Sequence, residues 1–197
     1  MKHAKLTAIT GGIGAGKSVV SKILRTMGYP VFDCDSEAKH LMDSSPEIKA
    51  ALIEKISPEA VDGRGNINRS HIAQIVFSDS KKLEQLNTIV HTAVRNEIER
   101  WRKNNSDNKV QLFVETAILY QSQLDKAVDD VWEVVAPDEV RILRVMDRNH
   151  CSRQDVISRI EAQSFVPDIP HSSIKTITND DFTPVLPQIL NLLEREQ

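Results

Sequence analysis

The sequence predicts an α/β protein, a five-stranded parallel sheet flanked by helices. Three observations carry this reading. Short apolar runs alternate with stretches of helical periodicity, the signature of successive β-α units. The first apolar run ends in glycines and passes at once into a helix-like stretch, "AITGGIGAGKSVVSKIL" at residues 8–24. The chain of 197 residues is 40% hydrophobic and 27% charged, ordinary globular usage that excludes a fibrous or disordered chain and suits one domain with a sizeable core.

The elements follow in order. Leu6–Thr10 is short, apolar and stopped by glycines, so it reads as a buried strand. Lys17–Met27 places Val20, Ile23, Leu24 and Met27 on one helical face, with Gly28 as the C-cap. Tyr29–Asp35, "YPVFDCD", reads as the second strand, with acids at its end. Ser36–Met42 and Pro46–Ile56 read as helices. Pro58, Gly63 and Gly65 break the loop that follows. From Arg69 to Arg102 the pattern is helical, with a break near Ser78–Ser80. Lys109–Glu115 is the third strand and Val131–Pro137 the fourth, stopped by its proline. Asp138–Asp147 and Arg153–Gln163 read as helices around a polar hinge. "SIKTIT", Ser173–Thr178, is the fifth strand, and Val185–Glu194 closes the chain as a helix. The helical block between strands two and three is too long for a plain crossover. It predicts an inserted helical region, a natural place for a second substrate.

Several function classes are disfavoured. The formal net charge is -3, aromatics are 5% of residues, and no basic run with interleaved aromatics occurs, so no nucleic-acid partner is expected. No stretch reaches the roughly 18 apolar residues of a membrane span, and the N-terminal apolar run is too short for a signal peptide. Cys34 and Cys151 make neither a metal spacing nor a disulfide framework. A cytoplasmic protein without a membrane contact is expected.

Gly11-Gly12-Ile13-Gly14-Ala15-Gly16-Lys17-Ser18 fits G-x-x-x-x-G-K-[ST]. Glycines let successive N–H groups turn toward one anion, and the following helix adds its positive end. Lys17 can reach the outer phosphates and the Ser18 hydroxyl can hold Mg²⁺. A guanine-specificity N-K-x-D is missing, because "NKVQ" at Asn108 ends in glutamine. "DGRG" at Asp62 lies in a loop rather than after a strand. Asp33 and Asp35 end strand two, where ligands of parallel sheets sit. Alternation along a strand would face both toward the phosphates, one taking a proton from a hydroxyl and the other ordering Mg²⁺. The competing reading has one acid capping the next helix. Glu115 ends strand three, as a metal-shell acid or a cap. Arg141, Arg144 and Arg148 share a helical face, followed by Arg153 and Arg159, as in an arginine-bearing lid or a solvated basic face. His91 sits on an apolar-patterned helix, where structural histidines are common.

Taken in order, the segments resemble the dephospho-coenzyme A kinase family. "TGGIGAGKS" is similar to its phosphate loop, and "GYPVFDCDSEAKHL" to its second strand with D-x-D. "NRSHIAQIVFSD" resembles its R-x-x-[LI] segment ending in phenylalanine, and "LNTIVHTAV" its L-N-x-I-x-H-P. "RILRVMDRNHCSRQDVISRIEAQ" resembles its lid, and "TITND" its late V-I-x-N. The resemblance covers essentially the whole chain. It implies a nucleotide-kinase-like P-loop core of about 3–35 and 106–197, a helical acceptor-binding insertion of about 36–105 and a lid of about 148–170. It implies transfer of the ATP γ-phosphoryl to the ribose 3′-hydroxyl of dephospho-coenzyme A, with Mg²⁺. Carried over by position, Gly12, Ile13, Gly14, Ala15, Gly16, Lys17, Ser18, Val19 and Asn179 hold ATP. Asp35 is the candidate base, assisted by Lys17 and Arg148. Asp33, Asp35, Arg69, Asn87, His91 and Glu115 meet the acceptor, and Ser18 and Asp33 the metal. A monomer is expected, with an oligomer left open. The departures are Glu115–Gln121 at strand three, Thr92 after the histidine, and Asp180-Asp181 where glycine is frequent. Two other readings stand beside this one: a kinase for another hydroxyl, and a nucleotide-binding regulator that transfers nothing.

Overall fold

Leu6–Thr10 forms β1, and all five of its residues are buried. A strand covered on both faces needs a continuous run rather than alternation, which "LTAIT" supplies. The computed structural model describes residues 4–105, 111–163 and 171–194. Its elements are β1, α1 (Lys17–Thr26), β2 (Val31–Asp33), α2 (Cys34–Ser44), α3 (Pro46–Lys55), α4 (Arg69–Ser78), α5 (Ser80–Asn104), β3 (Leu112–Glu115), β4 (Asp130–Val135), α6 (Asp138–Asn149), α7 (Arg153–Ala162), β5 (Ile174–Thr178) and α8 (Val185–Glu194). The strands make one five-stranded sheet in the order β2-β3-β1-β4-β5. β1 runs parallel to β3 and to β4, and β4 parallel to β5. The predicted five-stranded parallel sheet is the observed one.

Contacts divide the chain after Phe32 and after Asn104 into an α/β unit and a helical unit, Asp33–Asn104. In the α/β unit, α1 and α8 bury Val20, Leu24, Ile189 and Leu193 with Ile9, Phe113, Trp132 and Ile177 of the sheet. Phe113 stacks tilted on Trp132 at 5.1 Å and meets Tyr29 edge-on at 5.6 Å, arrangements that add to plain burial. At the amino ends of the strands, Asp130 is 1% exposed. It accepts from Lys5 at 3.2 Å and from Lys175 and Ser173, so its buried charge is compensated. The helical unit has its own core of Ile48, Leu52, Ile56, Ala60 and Ile72. No helix among the described residues is long and apolar enough to cross a membrane.

Strand two is shorter than expected, ending at Asp33 instead of Asp35. Asp33 Oδ1 accepts the N–H groups of Asp35 and Ser36, each at 3.0 Å, and Oδ2 accepts the Ser36 hydroxyl at 2.9 Å. This cap starts α2 at Cys34, so strand alternation does not govern the two acids. The break near Ser78–Ser80 is observed at Asp79, whose carboxylate accepts from the N–H groups of Lys81 and Lys82. Residues 106–110 of the expected turn and third strand, and 164–170 of the expected lid, lie outside the described residues.

Candidate active site

The loop from Gly11 to Ser18 joins the carboxyl end of β1 to α1, the strand–loop–helix context that the motif requires. Gly16 sits at the N-cap of α1 with φ 97°, and neither a capping side chain nor a first-turn acid serves that helix end. By contrast, side-chain oxygens of Asp33, Ser45, Asn68 and Ser152 cap α2, α3, α4 and α7. The positive end of α1 is thus left for an external anion. The Lys17 ammonium folds back over the loop, 2.7 Å from the Gly11 carbonyl and 3.4 Å from that of Gly12. Glu115 pairs in register with Ile9, two residues before the loop. Ser18 and Val19 are exposed.

The loop is gripped through its carbonyl groups. Arg141 Nε donates to Ile13 O at 2.9 Å, and Arg144 Nη1 to Gly14 O at 3.3 Å. Asn179 Nδ2 donates to Ala15 O at 2.9 Å, while its own N–H binds Val135 O at 2.9 Å. Arg144 also binds Asn179 Oδ1 and the Asp181 carboxylate. The three carbonyls thus point at α6 and the end of β5. Asp181 has φ 72°, the left-handed conformation for which glycine is usual. Its ion pair with Arg144 offsets that strain and accounts for an acid at a position where the family often has glycine.

Two of the face-sharing arginines, Arg141 and Arg144, are therefore engaged with the loop. Arg148 is exposed, and its Nε donates to Asn149 at 3.1 Å. Arg153 pairs with Glu139 at 3.0 Å, which holds the Glu139 carboxyl below the usual carboxylate range. Sequence reasoning missed Gln163. Its Oε1 accepts the Ile13 N–H at 2.8 Å. The Ile13 side chain meanwhile packs with Ile142, Val145 and Val156 of α6 and α7. Both backbone polar groups and the side chain of Ile13 are thus held by the α6–α7 pair. Gln163→Leu keeps the bulk and leaves that N–H unpaired, at a cost of about 1–3 kcal/mol. The expected result is a lower melting temperature and a several-fold higher KM for ATP at an unchanged KM for the acceptor. Initial rates at varied ATP and varied acceptor check it, and an unchanged KM for ATP would mean the bond does not serve the loop.

In the helical unit, Asp35 lies exposed in the first turn of α2. Arg69 opens α4 and pairs with Asp43 of α2 at 2.8 Å. Asn87 and His91, four residues apart, share one face of α5. Burial, and to a lesser degree the Arg95 charge, lower the pKa of His91, so its ring is neutral at pH 7. Thr92, in the family's proline position, accepts a hydrogen bond from Arg95 at 3.1 Å. Cys34 is buried beside the acids, and neither cysteine is in a disulfide.

A parallel sheet whose central strand feeds a phosphate loop, backed by an arginine-bearing helix, defines a P-loop nucleotide-binding fold. The family model for dephospho-CoA kinase matches residues 5–181. A dephospho-CoA kinase of Bacteroides fragilis is 34% identical over 185 residues, covering 94% of this chain and 89% of the relative. One of Porphyromonas gingivalis is 35% identical over 187 residues, covering 94% and 91%. Among solved structures, TT1252 of Thermus thermophilus superposes with TM-score 0.75 at 32% identity, over 98% of this chain and 96% of that one. The dephospho-CoA kinase of Campylobacter jejuni shares the fold, with TM-score 0.66 at 19% identity over 96% of each chain. The chain belongs to the dephospho-CoA kinase family.

Proposed function

We propose that the chain transfers the γ-phosphoryl group of ATP to the ribose 3′-hydroxyl of dephospho-coenzyme A, giving coenzyme A and ADP, with Asp35 as the base. The observation that carries this reading is the phosphate loop fastened by Arg141, Arg144 and Asn179 in a chain that matches the family model over residues 5–181. The loop amides and Lys17 hold the β- and γ-phosphates and leave the γ-phosphorus open to in-line attack. A new bond forms from the ribose oxygen to the γ-phosphorus, and the bond to the β–γ bridging oxygen breaks. The hydroxyl proton passes to the Asp35 carboxylate, which is exposed and available to accept it. Arg148 offers an exposed cation for the charge on the transferring group.

The residues suit Mg²⁺, which takes oxygen donors and keeps several waters and phosphate oxygens of its own. Ser18 presents an exposed hydroxyl in the first turn of α1. Both oxygens of Asp33 are engaged in its cap, which favours contact through water. The ion would neutralise phosphate charge. The helical unit Asp33–Asn104 serves as the acceptor-binding insertion, with Arg69, Asn87 and the neutral His91 toward the acceptor. Glu115, at the end of β3, would meet the acceptor or a water of the metal shell. We place the protein in the cytoplasm as a monomer. The test is a coupled assay with MgATP: ADP should form only when dephospho-coenzyme A is present. ADP release without acceptor, or none with it, would remove the reading.

A further inference from the structure

We infer that Gln188 of α8 is a positioning residue for the donor nucleotide, holding the end of β5 where Asn179 must stand to fasten the phosphate loop. The inference rests on ATP as the ligand of that loop, and not on the acceptor. β5 is the edge of the sheet, last in the order β2-β3-β1-β4-β5. Its inner side pairs with β4, and the Asn179 N–H continues that pairing to Val135 O at 2.9 Å. On the outer side, where no described strand follows, the Gln188 carboxamide takes the place of a neighbour. Its Oε1 accepts the Thr178 N–H at 2.9 Å and its Nε2 donates to Thr178 O at 2.8 Å. A carboxamide has the donor and the acceptor of a peptide group, so it satisfies both backbone groups of one residue at once. Nε2 also donates to Pro184 O at 3.0 Å. One side chain thus ties together both ends of the turn 178–184.

Asn179 follows Thr178 directly. Its Nδ2 reaches Ala15 O at 2.9 Å, and its Oδ1 accepts from Arg144, which also binds Gly14 O. The path from α8 to the phosphate loop therefore runs through Gln188, Thr178, Asn179 and Ala15. Pairing with β4 alone would fix one side of a strand end, and strand ends fray. Gln188 closes the other side from a firm base, because the adjacent Ile189 is fully buried against the sheet. α8 lies past residue 181, where the match to the family model ends.

Calorimetry on the full chain with Mg²⁺ and a non-hydrolysable ATP analogue tests the inference. Gln188→Leu keeps the bulk and removes the carboxamide. It should weaken analogue binding by about three- to tenfold, the share of one hydrogen bond lost from the support of the loop. In an Asn179→Ala background the same change should cost less than about twofold more, because the effect of Gln188 passes through Asn179. Leu192→Ala removes packing of α8 on the core but keeps the carboxamide. It should lower the melting temperature and leave the analogue affinity unchanged, which separates positioning from a general loosening of the helix. Parental affinity in Gln188→Leu, a full further loss in the Asn179→Ala background, or an equal loss in Leu192→Ala would overturn the inference. Binding is read without acceptor, so a wrong acceptor shows only in the ADP assay and the two readings fail separately.

Discussion

Asp35→Asn is expected to lower kcat by about 10²–10⁴-fold, the usual span for a lost general base, with KM for ATP unchanged. The asparagine keeps size and shape but cannot accept the hydroxyl proton. Stability should barely move, because an exposed acid in a first helical turn contributes only about 0.3–1 kcal/mol. Asp33 is the informative contrast. Its carboxylate accepts three hydrogen bonds that start α2, so Asp33→Ala should cost about 0.5–2 kcal/mol of stability. Asp33→Asn, an equally good cap, should restore most of it. Steady-state rates and urea melts on the three variants separate a base from a cap. Near-normal turnover in Asp35→Asn would take the base role from Asp35.

That contrast shows where sequence reading stopped. "FDCD" ends an apolar run, and strand alternation is a sound inference from a run alone. The cap competes with the strand at those residues, and a hydrogen-bonded aspartate two and three residues before its donors wins. The sheet was legible because each strand is a short apolar run with its own stop, as in Leu6–Thr10 before Gly11 and Val131–Val135 before Pro137. The phosphate loop was legible because its chemistry lies within eight consecutive residues, 11–18. What grips the loop was not legible. Arg144, Gln163 and Asn179 lie 130, 150 and 164 residues from their partners Gly14, Ile13 and Ala15, and no local period encodes such pairs.

The same pairs change the meaning of the arginine-bearing segment. The resemblance implies a lid of about 148–170, which takes in the end of α6 and all of α7. Ile13 is fixed to the α6–α7 pair by Arg141, by Gln163 and by an apolar cluster. Gln163, within the expected lid, and Arg141, before it, thus both hold the loop in shape. Arg141 and Arg144 act as loop supports, and Arg148, exposed at the end of α6, is left as the cation that can meet phosphate. Asp181 belongs to this support. It stands at φ 72° and binds the arginine that holds Gly14.

The loop's glycines give the second large effect, and they are not equivalent. At Gly11, φ is 144° and an added Cβ would lie 2.2 Å from the Val134 carbonyl oxygen. That oxygen belongs to the backbone of β4, in the middle of the sheet, and cannot step aside without breaking strand pairing. Gly11→Ala should therefore cost on the order of 3–5 kcal/mol, from overpacking and backbone strain together, and should abolish ATP binding with it. At Gly16, φ is 97° and the added Cβ would lie 1.9 Å from Asn179 Nδ2. This neighbour is a side chain that can swing, although swinging releases Ala15 O. Gly16→Ala should thus cost less stability, about 1–3 kcal/mol of strain, while still displacing the amides that meet phosphate. Adding Asn179→Ala to each separates the two mechanisms. With Gly16→Ala the costs should be less than additive, because the clash and the lost hydrogen bond involve the same side chain. With Gly11→Ala they should add. Urea melts of the five variants, Asn179→Ala alone among them, and the parent decide it, and a Gly11→Ala protein as stable as the parent would mean that β4 yields where its pairing says it cannot.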